Sequence, residues 1–167
     1  MDDSQYASQS NTVWLGNGAS KTSSFTGLRF TNVDIPSGAQ IVSAKLKVVP
    51  QQDAWVTMRF GIFGNLLPDS PPFTIKDSPA TRKLTTSSAS HQSNVLWKKD
   101  TSIEVANVSS VVQEIVNQPT WNSNNSFSLI LKGTGTSWGR KFVYSAESST
   151  TLAPKIEIQY KVLGNNQ

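Results

Sequence analysis

Few side chains in this sequence have a type and spacing that would run a reaction. His91 is the only histidine and there is no cysteine. That removes thiolate nucleophiles, disulfides and thiolate-held zinc or iron–sulfur centres. A lone histidine cannot build a histidine-based metal site, and as a catalytic base it would need a serine and an acid placed around it. It falls in a Ser/Thr-rich stretch, which predicts an ordinary exposed side chain. Paired carboxylates would suit glycoside hydrolysis. The acids here, Asp69, Asp100, Glu114, Glu147 and Glu157 among them, fall in expected turns or on polar strand faces, where solvation or ion pairing is their ordinary state. Glu147 is expected to pair with Arg29 or Arg140. Calcium takes roughly six to eight oxygen ligands; Asp2, Asp3, Asp34 and Asp53 are the candidates, and the Asp2-Asp3 pair is the expected position of any bound ion. A Lys–Asn isopeptide crosslink would need a lysine, an asparagine and an acid buried together, which sequence alone does not place.

The tryptophans discriminate better. Trp138 lies in the Gly-rich loop Gly133-Thr-Gly-Thr-Ser-Trp-Gly139, and Trp55 lies where a loop meets a strand. An indole on a polar loop offers a flat apolar face for stacking on a sugar ring or packing on a partner. Arg140, Asn65, Gln51 and Gln52 are the planar hydrogen-bonding groups expected to join Trp138 and Trp55 in such a site. The competing reading is that each indole caps one end of the fold. Trp14, inside an expected strand, is assigned to the core.

The elements that must position these residues are mostly strands. Ala44, Leu46 and Val48 alternate with Ser43, Lys45 and Lys47; Val56, Met58, Phe60 and Ile62 alternate with Thr57 and Arg59. The same alternation runs through Leu28–Phe30, Phe127–Lys132, Phe142–Ala146 and Lys155–Val162. One apolar and one polar face per run describes antiparallel strands covered on one side. Weaker strands are expected at Thr12–Leu15, Phe73–Lys76 and Asn94–Trp97, and loops at Leu66–Pro72 and Lys83–Ser93. Val108, Val111, Val112, Ile115 and Val116 follow helical spacing instead, with Asn107 as N-cap and Pro119 beyond the end. This predicts one short α-helix near 108–118. The expectation is an all-β, two-sheet β-sandwich of jelly-roll topology with about eight to ten strands. It forms one module over residues 1–167, with polar, mobile ends at 1–10 and 163–167.

Only 16% of residues are charged and the net charge is +4. The basic residues form pairs, such as Lys98-Lys99 and Arg140-Lys141, rather than runs. Nucleic acid is therefore not an expected partner; a mild preference for anionic ligands such as acidic polysaccharides is. No apolar run is long enough to span a membrane. The opening Met-Asp-Asp-Ser is not an export signal, so the protein is either intracellular or has lost one.

Gly27-Leu-Arg-Phe-Thr-Asn-Val-Asp-Ile-Pro-Ser-Gly-Ala-Gln-Ile-Val-Ser-Ala44 resembles the second-strand signature of bacterial extracellular β-sandwich modules. Ser110-Val-Val-Gln-Glu-Ile-Val-Asn-Gln-Pro-Thr-Trp121 and Ala153-Pro-Lys-Ile-Glu-Ile-Gln-Tyr160 follow in the order those modules show. The chain is similar to the DNRLRE-type jelly-roll domains, some of which bind carbohydrate. The resemblance implies core positions for Trp97 and Trp121, and a secreted or cell-surface module carried within a larger protein. It departs at Thr120, where relatives have glycine, and in the loop Pro50–Trp55, which keeps a single carboxylate. No cofactor is expected, calcium apart. The functional expectation is a non-catalytic extracellular module that binds polysaccharide through loop aromatics. The alternatives are a structural or adhesive subunit of a surface or fibre protein, contacting neighbouring domains, and, more distantly, a polysaccharide-active enzyme.

Overall fold

A computed structural model of the protein describes residues 10–21 and 24–162. Asp2 and Asp3 lie outside the described residues, as do the expected mobile ends apart from Ser10. The described chain is all-β, with nine strands and one α-helix. The strands are β1 (Thr12–Gly16), β2 (Phe25–Phe30), β3 (Gln40–Val48), β4 (Met58–Asn65), β5 (Leu84–Ser93), β6 (Ile103–Asn107), β7 (Phe127–Gly133), β8 (Arg140–Tyr144) and β9 (Lys155–Lys161). They pair antiparallel in a four-stranded sheet β2-β7-β4-β5, a three-stranded sheet β6-β3-β9 and a two-stranded ribbon β1-β8. The segment just after β3 reaches the ribbon: Tyr144 N–H donates to Val49 O and Gln51 N–H to Phe142 O.

Alternation places the core. Ala44, Leu46 and Val48 of β3 and Leu15 and Val143 of the ribbon are buried with Phe60, Ile62, Phe127, Leu129 and Leu131 of the four-stranded sheet. The opposite face of β3 is wet, and there Lys45 meets Glu104 at 3.2 Å and Lys47 meets Glu157 at 2.7 Å. The helix α1 (Ser109–Val116) lays Val111, Val112, Ile115 and Val116 on this core. Each such side chain contributes about 1.5–3 kcal/mol on burial. The N-cap position is Val108 rather than the expected Asn107; Asn107, two positions before the helix, still accepts from Ser109 N–H through its Oδ1 at 3.0 Å. Trp97 and Trp121 are both buried, and the Trp121 indole N–H donates to Ile35 O at 2.9 Å.

Several sequence expectations are corrected. The expected loop Lys83–Ser93 contains β5, the longest strand; its Ser/Thr alternation is a half-wet edge strand paired with β4, and threonine is a good strand former. Phe73–Lys76 forms no strand, and Asn94–Trp97 contributes only the single bridge Ala54–Trp97. β7 is buried on both faces rather than one. Its outer face is covered by the segment 66–82, where Ser70 Oγ and Ser128 Oγ lie 2.8 Å apart. Arg82 holds that segment down: it is buried, pairs with Asp77 at 2.8 Å, and donates to the carbonyls of Pro71, Pro72 and Asp77. Phe73, beneath its guanidinium, packs where Gly27 leaves space.

Candidate functional site

Pairing in the β1-β8 ribbon decides which aromatics reach solvent. Arg140, Phe142 and Tyr144 alternate with Lys141 and Val143, which are buried. Trp14 stands opposite Phe142, and Gly16 opposite Arg140. Trp14 therefore points outward and is half-buried, not in the core as its place within a strand suggested. Gly16 is required here: its φ is +107°, and a Cβ would come within 2.2 Å of Gly139 O. The Arg140 side chain folds across the ribbon. Its guanidinium carbon lies 5.0 Å from the Trp14 ring centre, 4.9 Å from Trp138 and 5.1 Å from Phe142. None of the ion pairs among the described residues involves Arg140.

The loop that carries Trp138 is built firmly. Asn17, fully buried, accepts from Gly135 N–H at 2.8 Å and donates to Ser20 O. Asn17 N–H bonds Gly139 O, and Trp138 N–H donates to Gly18 O at 2.6 Å. Trp138 itself adopts φ +62°, the left-handed region that costs a bulky residue about 1–3 kcal/mol. The indole is nonetheless 59% exposed.

The remaining expected site residues divide. Trp55 is 72% exposed, and its segment runs into Thr57, whose carbonyl lies against Gly139. Gln52 is exposed in the same segment. Gln51 is already committed, its amide accepting from Thr12 Oγ1 at 2.8 Å and donating to Asn11 O. Asn65 does not belong to this surface. It is fully buried with both amide atoms unpartnered, at the far end of β4 from Met58, which borders Gly16. Arg29 spends its guanidinium on Ser70 O and Ser126 Oγ, so the expected Glu147 pairing is not formed with either arginine.

Two further groups were missed or misread. Lys141 is fully buried, donating to Val95 O at 2.6 Å and Ser93 Oγ at 3.0 Å, with the Trp97 ring 5.0 Å away; burial pushes its ammonium below the usual lysine range. The sequence alternation set Phe142, Tyr144 and Ala146 on the apolar face and so Lys141 on the wet one; the structure has the reverse, with Lys141 and Val143 inward. His91 lies in β5, its ring 5.4 Å from Phe60 and 5.7 Å from Trp97, rather than on an exposed loop. Its Nδ1 meets Val105 O at 2.6 Å, so Nδ1 carries the proton and Nε2 is buried without a partner. Burial lowers its pKa; the Val105 bond opposes this and the Lys141 charge adds to it. The Trp138 loop also spells Gly135-Thr-Ser-Trp-Gly139, the letters of a nucleophile elbow. That motif needs a strand-to-helix turn, whereas this loop joins two strands.

No three His, Asp or Glu side chains gather as a metal site among the described residues. Asp34 accepts from Ser123 and Asp53 from Lys99 N–H, in separate places. Lys141 and Asn65 sit by opposite ends of β4, about 20 Å apart along a strand, so this pair forms no isopeptide. No helix of the described residues is long and apolar enough to cross a membrane. The fold is all-β, and it carries on the β1-β8 ribbon a strip of aromatic rings gathered around Arg140. No protein-family model matches the chain, and no curated protein does.

Proposed function

We propose that the protein is a non-catalytic, secreted or cell-surface module that binds glycan on the strip formed by Trp138, Arg140, Trp14 and Phe142. The observation that carries this reading is the Arg140 guanidinium, held within about 5 Å of three aromatic rings while Trp138 stays in water on a strained backbone. Flat indole faces stack on the apolar faces of pyranose rings, and a guanidinium without an acidic partner keeps donors for hydroxyl or ring oxygens. Trp55 and Gln52 are exposed on the segment that leads to Thr57, whose carbonyl lies against Gly139. The strand orders β2-β7-β4-β5 and β1-β8, with β8 bonded next to the end of β3 and β3 to β6, support the jelly-roll reading and the resemblance to the DNRLRE-type domains.

A second reading, a structural subunit, draws on β9. It is an edge strand with Tyr160 and neighbouring Val162 exposed, although Lys155 and Lys161 discourage edge pairing.

The test is a tryptophan-emission titration of the whole chain against a panel of neutral and acidic polysaccharides. At least one should shift or quench emission, and Trp138→Ala should weaken that ligand at least tenfold, equivalent to about 1.4 kcal/mol. A panel with no responder, or a responder indifferent to Trp138→Ala and Trp14→Ala, defeats the reading.

A further inference from the structure

Strand β9 lies at the end of its sheet, with β3 as its one strand neighbour among the described residues. Such an edge offers unpaired N–H and C=O groups, which proteins usually blunt with bulges, prolines or charge. The bulge in this ladder is on β3, where Val42 is the extra residue, so β9 itself runs uninterrupted. Proline stands only before its start, at Pro154. Its inner face is unfinished. Ile156 and Ile158 are half-buried, while Tyr160 and Val162, the latter just beyond the strand, are exposed. A groove of about 490 Å³ runs beside them, lined also by Phe30, Val33 and Ile35. The opposite face carries Lys155, Glu157, Gln159 and Lys161 in water. Glu157 meets Lys47, whereas Lys155 and Lys161 enter none of the ion pairs of the described residues.

The same edge of a second copy can complete this one, and the charges choose the register. In an antiparallel pair centred on Ile158, Lys155 faces Lys161 of the other copy, twice by symmetry. Centred on Glu157, the two carboxylates face each other. Both registers set like charges opposite one another, which is unfavourable. A pair centred on Tyr160 joins no opposite charges. One centred on Ile156 sets Lys155 opposite Glu157, but it runs into Pro154, which has no N–H to give, and leaves Tyr160 and Val162 outside. Centred on Gln159, the pairs are complementary on both faces. Glu157 faces Lys161 on the wet side, while Ile158 faces Tyr160 and Ile156 faces Val162 on the apolar side. We infer that the protein forms a two-fold dimer through this seam, residues 156–162 of each copy pairing antiparallel about Gln159. Glu157 then stands between Lys47 of its own sheet and Lys161 of the other copy. The three-stranded sheets join as β6-β3-β9 against β9-β3-β6, and Tyr160 and Val162 are covered. Each copy commits its β9 edge, so the assembly closes at two. The dimer rests on neither reading above: it uses no residue of the β1-β8 strip, and a closed pair builds no fibre.

A seam of one strand is a small interface, so a dissociation constant of about 1–100 µM is expected. Sedimentation equilibrium of the full chain across that range should show the mass rise from one chain to two and no further. Glu157→Lys, checked for folding by circular dichroism, should weaken the dimer about tenfold, since two attractive cross-strand pairs become repulsive. Lys161→Glu should do the same, and the double variant Glu157→Lys with Lys161→Glu should recover association. The register has its own readout. The chain has no cysteine, and facing Cα atoms of antiparallel strands lie about 4.5–5.5 Å apart, within disulfide reach. Gln159→Cys should therefore link two chains on mild oxidation. Lys155→Cys, about 27 Å from its counterpart across the axis, should not. Trp138→Ala should leave association unchanged, so the seam and the glycan strip fail separately. The inference is overturned by a chain that stays single at millimolar concentration, or by assembly that grows past two. It is also overturned by a dimer that the double variant does not restore, or by Lys155→Cys linking as readily as Gln159→Cys.

Discussion

Replacing Trp138 with glycine should leave a more stable protein than replacing it with alanine, the reverse of the usual ranking. Both substitutions remove the indole from Arg140, a cation–π contact contributing about 0.5–1 kcal/mol at an exposed site. Alanine keeps a Cβ and so retains the penalty of φ +62°, about 1–2 kcal/mol for an L-residue in the left-handed region. Glycine removes that penalty but adds unfolded-chain entropy, about 0.5–1 kcal/mol. The difference leaves Trp138→Gly about 0.5–1 kcal/mol above Trp138→Ala. At this chain length one kcal/mol moves the midpoint by roughly 2–4 °C, so the gap should be about 1–4 °C. Thermal and urea unfolding of the three proteins at one pH measures it. Both variants should lose the polysaccharide response, since neither carries the ring. If alanine equals or exceeds glycine, the left-handed backbone at 138 is not a source of strain, and the argument that the site stores strain to hold its ring in water fails with it.

Two other perturbations probe the frame. The depressed pKa of His91 means the folded state holds it neutral while the unfolded chain takes up a proton near its ordinary pKa. Its contribution is therefore complete above about pH 6.5, declines as the pH falls toward the folded-state pKa, and levels off below it. His91→Gln should flatten this acid limb in urea midpoints between pH 7.5 and 5, and parallel curves for the two proteins would contradict the assignment. Arg82→Ala should cost about 2–3 kcal/mol, less than a fully buried pair because Asp77 is half exposed, yet still enough to strand several carbonyls. Hydrogen exchange at Ser70, whose N–H bonds Ser126 O, should accelerate while exchange in β4 stays slow; unchanged exchange at Ser70 would show that the segment 66–82 is held by something else.

The amphipathic elements were legible because one physical cause dominated each. The stripe from Val108 to Val116 appears as α1, and Ala44, Leu46 and Val48 as the inner face of β3. Strand β5 was not, because its alternation is written in serine and threonine, whose small polar side chains look the same in loops and on wet strands. Trp14 was misassigned because an aromatic inside a strand is equally at home on either face; only the register with β8 decides, and that pairing is separated by more than a hundred residues. Asn65 failed as a site residue for a related reason: a polar type at a strand end does not reveal that the fold will seal it from solvent. Trp138 and Trp55 were placed correctly in water, since glycine-rich and turn-rich surroundings leave little to bury an indole against. The way Arg140 joins Trp138 to Trp14 and Phe142 was invisible, being a property of two strands and a loop at once.

The ribbon pairing has a consequence for how the molecule comes into being. Thr12 lies opposite Tyr144, so the first strand of the fold waits for nearly the whole polypeptide before it finds its neighbour. Such distant pairings slow folding, because loop-closure entropy must be overcome before any contact rewards it. The aromatic surface straddles that last seam. Trp14 and Phe142, one from each strand, are therefore brought side by side only when that distant pairing closes.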